Sequence, residues 1–138
     1  MPQTTPYLFF DGTCAEAMKF YERTLRGKLV LMKHSETPGG SQAPAGNDDR
    51  IMHADLTFDG GQILASDEMA GADFNGMKGF FVSLSFETVD EARRVFDAFA
   101  PGGKVIMPLD KTFWAEAFGM VVDRFGTPWM IGTTSKQS

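Results

Sequence analysis

The sequence predicts an α+β protein built from two tandem β-α-β-β-β modules, and three observations predict it. Short apolar or alternating stretches bounded by Gly, Pro, Asn and Asp read as strands. Two other segments place apolar residues at helical spacing behind a Thr-x-x-Glu signature, Thr13 with Glu16 and Thr88 with Glu91. The elements also recur: Thr13, Glu16 and Ala17 return as Thr88, Glu91 and Ala92 at one constant separation, and Lys28-Leu29-Val30-Leu31 returns as Lys104-Val105-Ile106-Met107 one residue later. Module 1 then runs from about residue 5 to 70 and module 2 from about residue 78 to 134. Neither has enough helix to cover both faces of a four-stranded sheet, so the two are expected to share one core in a single domain over residues 1–138.

Composition agrees with one folded domain. The chain has 138 residues, of which 43% are hydrophobic and 12% aromatic, enough to build a core. Lys and Arg number 13 against 18 Asp and Glu, a formal charge of −5 with no basic run, which argues against a partner recognised through phosphates such as nucleic acid. The single cysteine, Cys14, cannot form an intramolecular disulfide, and the first thirty residues lack a signal-peptide pattern, so a cytoplasmic protein is expected. No apolar run approaches the roughly 20 residues that span a bilayer, so no membrane partner is expected.

In module 1, Tyr7 to Phe10 reads as a strand ended by the turn Asp11-Gly12. Thr13 and Glu16 form a capping box, and Cys14, Ala17, Met18, Tyr21 and Leu25 make one helical face closed by Gly27 in a left-handed conformation. Lys28 to Met32 is a second strand. Glu36 to Arg50 is a Gly- and Pro-containing loop, readable as a mobile lid or as a plain connection. From Ile51 the pattern alternates: Met52, Ala54, Leu56 and Phe58 form an apolar face, Ile51, His53, Asp55 and Thr57 the other. Asp59-Gly60-Gly61 signals a hairpin into a fourth strand, Gln62 to Ser66.

Module 2 begins with a strand from Phe80 to Phe86. Thr88 and Glu91 form its capping box, and Ala92, Val95, Phe96 and Phe99 its helix face, ending near Pro101-Gly102-Gly103. The strand Lys104 to Met107, a strand from Trp114 to Val122, a turn at Asp123 to Pro128 and a last strand, Trp129 to Gly132, complete it.

These modules look like the vicinal oxygen chelate fold of glyoxalases, bleomycin-resistance proteins and extradiol dioxygenases. Local motifs narrow the resemblance. Pro6-Tyr7-Leu8-Phe9-Phe10, Gly12-Thr13-Cys14-Ala15-Glu16-Ala17 and Phe20-Tyr21 resemble the opening of its PhnB-like branch, as do Met52-His53-Ala54-Asp55-Leu56, the run Phe118 to Gly126, and Pro128-Trp129-Met130-Ile131. The resemblance implies sheets that curl into a cup, helices on the convex side and a ligand on the concave side. It also implies metal ligands on the first and last strands, at positions near Tyr7 or Phe9, near Phe81 or Ser83, and near Met130. None is a usual ligand for a divalent ion, so no metal is expected. Some relatives carry a demethylubiquinone methyltransferase label. No Gly-rich loop joins a strand to a helix here to hold a nucleoside cofactor, so no cofactor is expected either.

His53 is the first candidate for chemistry, because it shares a polar strand face with Asp55, and an imidazole beside a carboxylate can act as a base or hold an anion. A hydrogen-bonded structural histidine is the plain alternative. Glu116, in strand parity with Trp114, Phe118 and Met120, would be a carboxylate among aromatic rings, where loss of water suits an acid or base; the alternative is an exposed strand residue. Asp123 reads as a turn acceptor, Cys14 as a buried inert thiol, Asp67-Glu68 as a poor metal pair because neighbours on a strand point apart, and His34 as solvated.

Tyr7, Phe9, Phe81, Trp114, Phe118 and Trp129 are expected to line the cup with Asp55 and Ser83, and 13 Phe and nine Met suit an adaptable apolar cavity. The expected function is metal-free binding of a small, largely apolar or aromatic molecule by a homodimer, as in bleomycin-resistance relatives. The rival is an enzyme of lyase, isomerase or dioxygenase type using His53 and Glu116, with or without the help of a metal ion.

Overall fold

In the computed structural model, which describes residues 2–40 and 43–134, the chain divides between Asn75 and Gly76 into two units. In the first, Tyr7–Phe10 forms β1, Cys14–Leu25 α1, Lys28–Lys33 β2, Ile51–Phe58 β3 and Gly61–Asp67 β4. The sheet order is β1-β4-β3-β2, with β1 parallel to β4 and the other pairs antiparallel. Helix α1 lies on one face of this sheet, mainly over β3. Its stripe of Cys14, Ala17, Met18 and Tyr21 meets Leu8, Phe10, Ala54, Leu56, Ile63 and Ala65, all essentially buried. Each large side chain so removed from water contributes about 1.5–3 kcal/mol.

The ends of α1 are built differently from the sequence expectation. Thr13 makes no side-chain cap hydrogen bond. The Gly12 and Cys14 N–H groups donate instead to Asp67 Oδ1 at 2.9 and 3.0 Å, and the Ile51 N–H donates to Asp67 Oδ2 at 2.9 Å. The carboxylate at the end of β4 thus caps the helix and ties it to the start of β3. At the other end the left-handed residue is Arg26, at φ 56°, and not Gly27. Gly27 is required for space: a Cβ there would lie 2.5 Å from the Thr57 carbonyl oxygen.

His34, expected in solvent, is buried at 8% exposure in a single 3-10 turn, His34–Glu36, at the end of β2. The loop beyond is anchored at its far end. Buried Asn47 donates to the Pro44 carbonyl at 2.9 Å and accepts from the Ala70 N–H at 2.7 Å, while Arg50 donates to the Asp11 carboxylate and the Glu68 carbonyl, each at 2.8 Å.

The second unit repeats the plan with Val82–Phe86 as β5, Val89–Phe99 as α2, Lys104–Asp110 as β6, Phe118–Val122 as β7 and Pro128–Thr133 as β8, in the order β5-β8-β7-β6. Here the cap matches expectation, since the Glu91 N–H donates to Thr88 Oγ1 at 3.2 Å; the Glu91 carboxylate pairs with Arg94. Two strands are shorter than expected. β5 starts at Val82, not Phe80, and β7 starts at Phe118, not Trp114. Residues 112–117 bend because their amides find hydroxyl acceptors: the Ala115 N–H donates to Thr112 Oγ1 within the bend, and the Glu116 and Ala117 N–H groups to Thr133 Oγ1 at the end of β8. Gly119 makes room for both α2 and β6, as a Cβ there would come within 2.8 Å of the Phe96 ring and 2.9 Å of the Leu109 backbone. No helix among the described residues is long and apolar enough to cross a membrane.

Candidate functional site

Strand periodicity puts the candidates of the first unit on one face. Ala54 and Leu56 are buried under α1, so their neighbours His53, Asp55 and Thr57 occupy the opposite face of β3. Leu8 and Phe10 likewise send Tyr7 and Phe9, at 41% and 45% exposure, to that face. Register then builds a cross-strand row of Tyr7, Leu64, Asp55 and Val30. Beside it Phe9 opposes Ser66 and Met32 opposes His53.

The Tyr7 ring lies 6.4 Å from the His53 ring and 5.1 Å from that of Phe9. Asp55 Oδ1 accepts from Gln62 Nε2 at 2.9 Å and from Thr57 Oγ1 at 3.4 Å, which orients the carboxylate. This face therefore joins two aromatic rings, an imidazole and a held carboxylate, a set able to stack on a flat molecule and to hydrogen-bond or take a proton from it. Gln62 was not among the sequence candidates. Its signal was the alternation Gln62, Leu64, Ser66 that follows the hairpin glycines.

The open face of the second unit is more apolar. Val121, Ile131 and Trp129 are buried beside α2, which leaves Phe118, Met120 and Met130 on the other side. Phe118 carries the Trp114 ring at 5.4 Å edge-on, and Phe113, at 96% exposure, packs edge-on against Trp114 at 4.8 Å. Ser83 is exposed on β5, and Phe81 precedes that strand at 37% exposure.

Two expectations are corrected. Trp129 lines no open face: its fully buried ring stacks on Phe99 at 4.6 Å, and its Nε1–H donates to Asp123 Oδ2 at 2.8 Å. Asp123 also accepts from the Phe125 and Thr127 N–H groups, the turn role expected for it. Glu116 is exposed in the bend before β7 and is not enclosed by aromatic rings, so the burial that suggested acid or base chemistry is missing.

Among the described residues, no group of three or more His, Cys, Asp or Glu side chains is placed to hold a metal ion. Both oxygens of Asp67 are taken by backbone amides. Cys14 is fully buried, and burial pushes its thiol up, with the charge of Asp67 adding to the effect. The native thiol thus stays protonated, while an unfolded one ionises above about pH 8.5. The stabilisation this provides is complete below that pH and is lost progressively above it. Urea melts at pH 8 and pH 10 should show this loss in the protein and a smaller one in Cys14→Ala, and iodoacetamide should label Cys14 only after unfolding.

Two β-α-β-β-β units, each with one helix on a mixed four-stranded sheet and a second face left open, define an α+β protein of the glyoxalase and bleomycin-resistance fold, shared with glyoxalase-related and dioxygenase-domain structures. The chain belongs to the family described as 3-demethylubiquinone-9 3-methyltransferase, whose model matches residues 2–132. It is 37% identical to protein YjdN of Escherichia coli, over 96% of each chain. Among solved structures it is similar to protein PA1353 of Pseudomonas aeruginosa, at 43% identity and a TM-score of 0.86 over 96% of this chain and 98% of that one. A PhnB protein from Bacillus cereus, 24% identical over 96% and 100% of the chains, shares the fold at a TM-score of 0.80.

Proposed function

We propose that this protein binds a small, largely apolar or aromatic molecule on the open faces of its sheets without a metal ion, as a cytoplasmic homodimer. The observation that supports it most is the first unit's open face, on the side away from the helix, where Tyr7 stands in a cross-strand row with Asp55 and its ring lies 6.4 Å from that of His53 and 5.1 Å from that of Phe9.

The family description names a methyl transfer, but the residues here do not fit a nucleoside donor. The strand-to-helix links, Asp11 to Thr13 and Glu87 to Thr88, are short, and the Gly12 and Cys14 amides are already held by Asp67. The strand positions where relatives of this fold place metal ligands hold Tyr7, Phe9, Ser83 and Met130, with Phe81 just before β5, which is not a donor set for a divalent ion.

A calorimetric screen of small aromatic and aliphatic molecules tests the reading. His53→Ala should weaken binding of a hit at least fivefold and leave the melting temperature within about 2 °C. A drop of several degrees with unchanged binding would make His53 structural. Light scattering at micromolar concentration should give a dimer, and a monomer would count against that part. An enzyme reading rests on His53 and Asp55 sharing one strand face. It requires turnover of a hit that vanishes in His53→Ala.

A further inference from the structure

The open face of the second unit carries a feature that its repeat lacks. Met107 opposes Met120, Met120 opposes Met130, and Met130 opposes Ser83, so three thioethers and a hydroxyl form one cross-strand row over β6, β7, β8 and β5, the β6–β7 register shifting on either side of Met107. Directly paired strand residues share a face, and this row lies on the side away from α2. Met107 is 37% exposed, and Met120 and Met130 are half-buried. In the first unit the row Tyr7, Leu64, Asp55 and Val30 carries no sulfur, and the row beside it has a single thioether, Met32 opposite His53.

We infer that this methionine row is a platform for a flat, fused aromatic ring bearing a hydroxyl at one end, an assignment that rests on the ligand-binding reading above. Methionine sulfur is polarisable and makes favourable contacts at about 5 Å from aromatic rings, which saturated molecules cannot return. Strands lie about 4.8 Å apart, so three sulfurs span roughly 10 Å, room for two fused rings. Ser83 closes the row with a group that both donates and accepts, where a ring hydroxyl would end. The Phe118 ring is the next residue on the same face of β7, two positions from Met120.

The test compares 2-naphthol with its saturated analogue, decahydro-2-naphthol, by calorimetry on the full chain. The intact protein should prefer the aromatic compound. Met120→Leu/Met130→Leu, which conserves volume and should fold, is expected to bind 2-naphthol three- to tenfold more weakly while changing affinity for the saturated analogue less than twofold. Ser83→Ala should weaken 2-naphthol but not naphthalene. In the intact protein, 2-naphthol should also slow peroxide oxidation of Met107, Met120 and Met130 relative to Met69, which is 40% exposed outside the row. If the double variant keeps its preference for 2-naphthol while His53→Ala loses binding, the platform is wrong and the ligand-binding reading stands. If neither compound binds but another hit of the screen depends on His53, the platform again falls alone. If nothing binds, both fall.

Discussion

Asp67→Ala should cost the fold about 3–6 kcal/mol, because two buried amides, of Cys14 and Ile51, and the part-buried amide of Gly12 lose their acceptor together. Each orphaned donor costs about 1–3 kcal/mol, and the loss of a negative charge at the N-terminus of α1 adds to it. Against a stability of roughly 5–15 kcal/mol, this is enough to leave the protein marginal at 37 °C. Asp67→Asn separates the contributions. Its amide oxygen can still serve the Gly12 and Cys14 amides, but its NH2 then faces the Ile51 N–H, so an intermediate loss is expected. Thr13→Ala is the control, and should change stability by less than about 0.5 kcal/mol since Thr13 makes no cap bond. Thr88→Ala should cost about 1 kcal/mol, because Thr88 does cap α2. Urea melts of the four variants check the set, and a Thr13 effect as large as that of Asp67 would reverse the assignment.

Trp129→Ala is the other large effect, expected at about 3–5 kcal/mol and a fall in melting temperature of roughly 10–20 °C. The ring fills space between β8 and α2 against Phe99, and its removal leaves a cavity and strips Asp123 of one hydrogen bond. Trp129→Phe retains most of the packing and should cost less. Were Trp129 a ligand contact, both variants would keep their stability and lose binding instead.

The contrast between His53 and Trp129 shows how far the sequence could be read. β3 alternates apolar and polar residues, so only one assignment of its faces buries Ala54 and Leu56, and His53 and Asp55 follow from it. β8 reads Pro-Trp-Met-Ile-Gly-Thr, apolar on both parities, and either face could have gone under the helix. The choice was made by register: Trp129 opposes Val82 and Val121, both buried, so it joins the core and Met130 takes the open side. Glu116 departs from strand parity for a related reason, since the Thr112 and Thr133 hydroxyls take up the amides of Ala115, Glu116 and Ala117 and hold residues 112–117 out of the strand.

The sequence by itself determined the repeated β-α-β-β-β order, the buried stripes of both helices and the faces of β3, because each is written in a local period of 3.6 or 2 residues. Only the tertiary structure decided that Asp67, 53 positions from Cys14, caps α1, that Trp129 is core, and that three methionines from three strands stand in one row. Those outcomes depend on which distant residues the strand registers bring opposite one another, and register is a long-range choice that no local periodicity encodes.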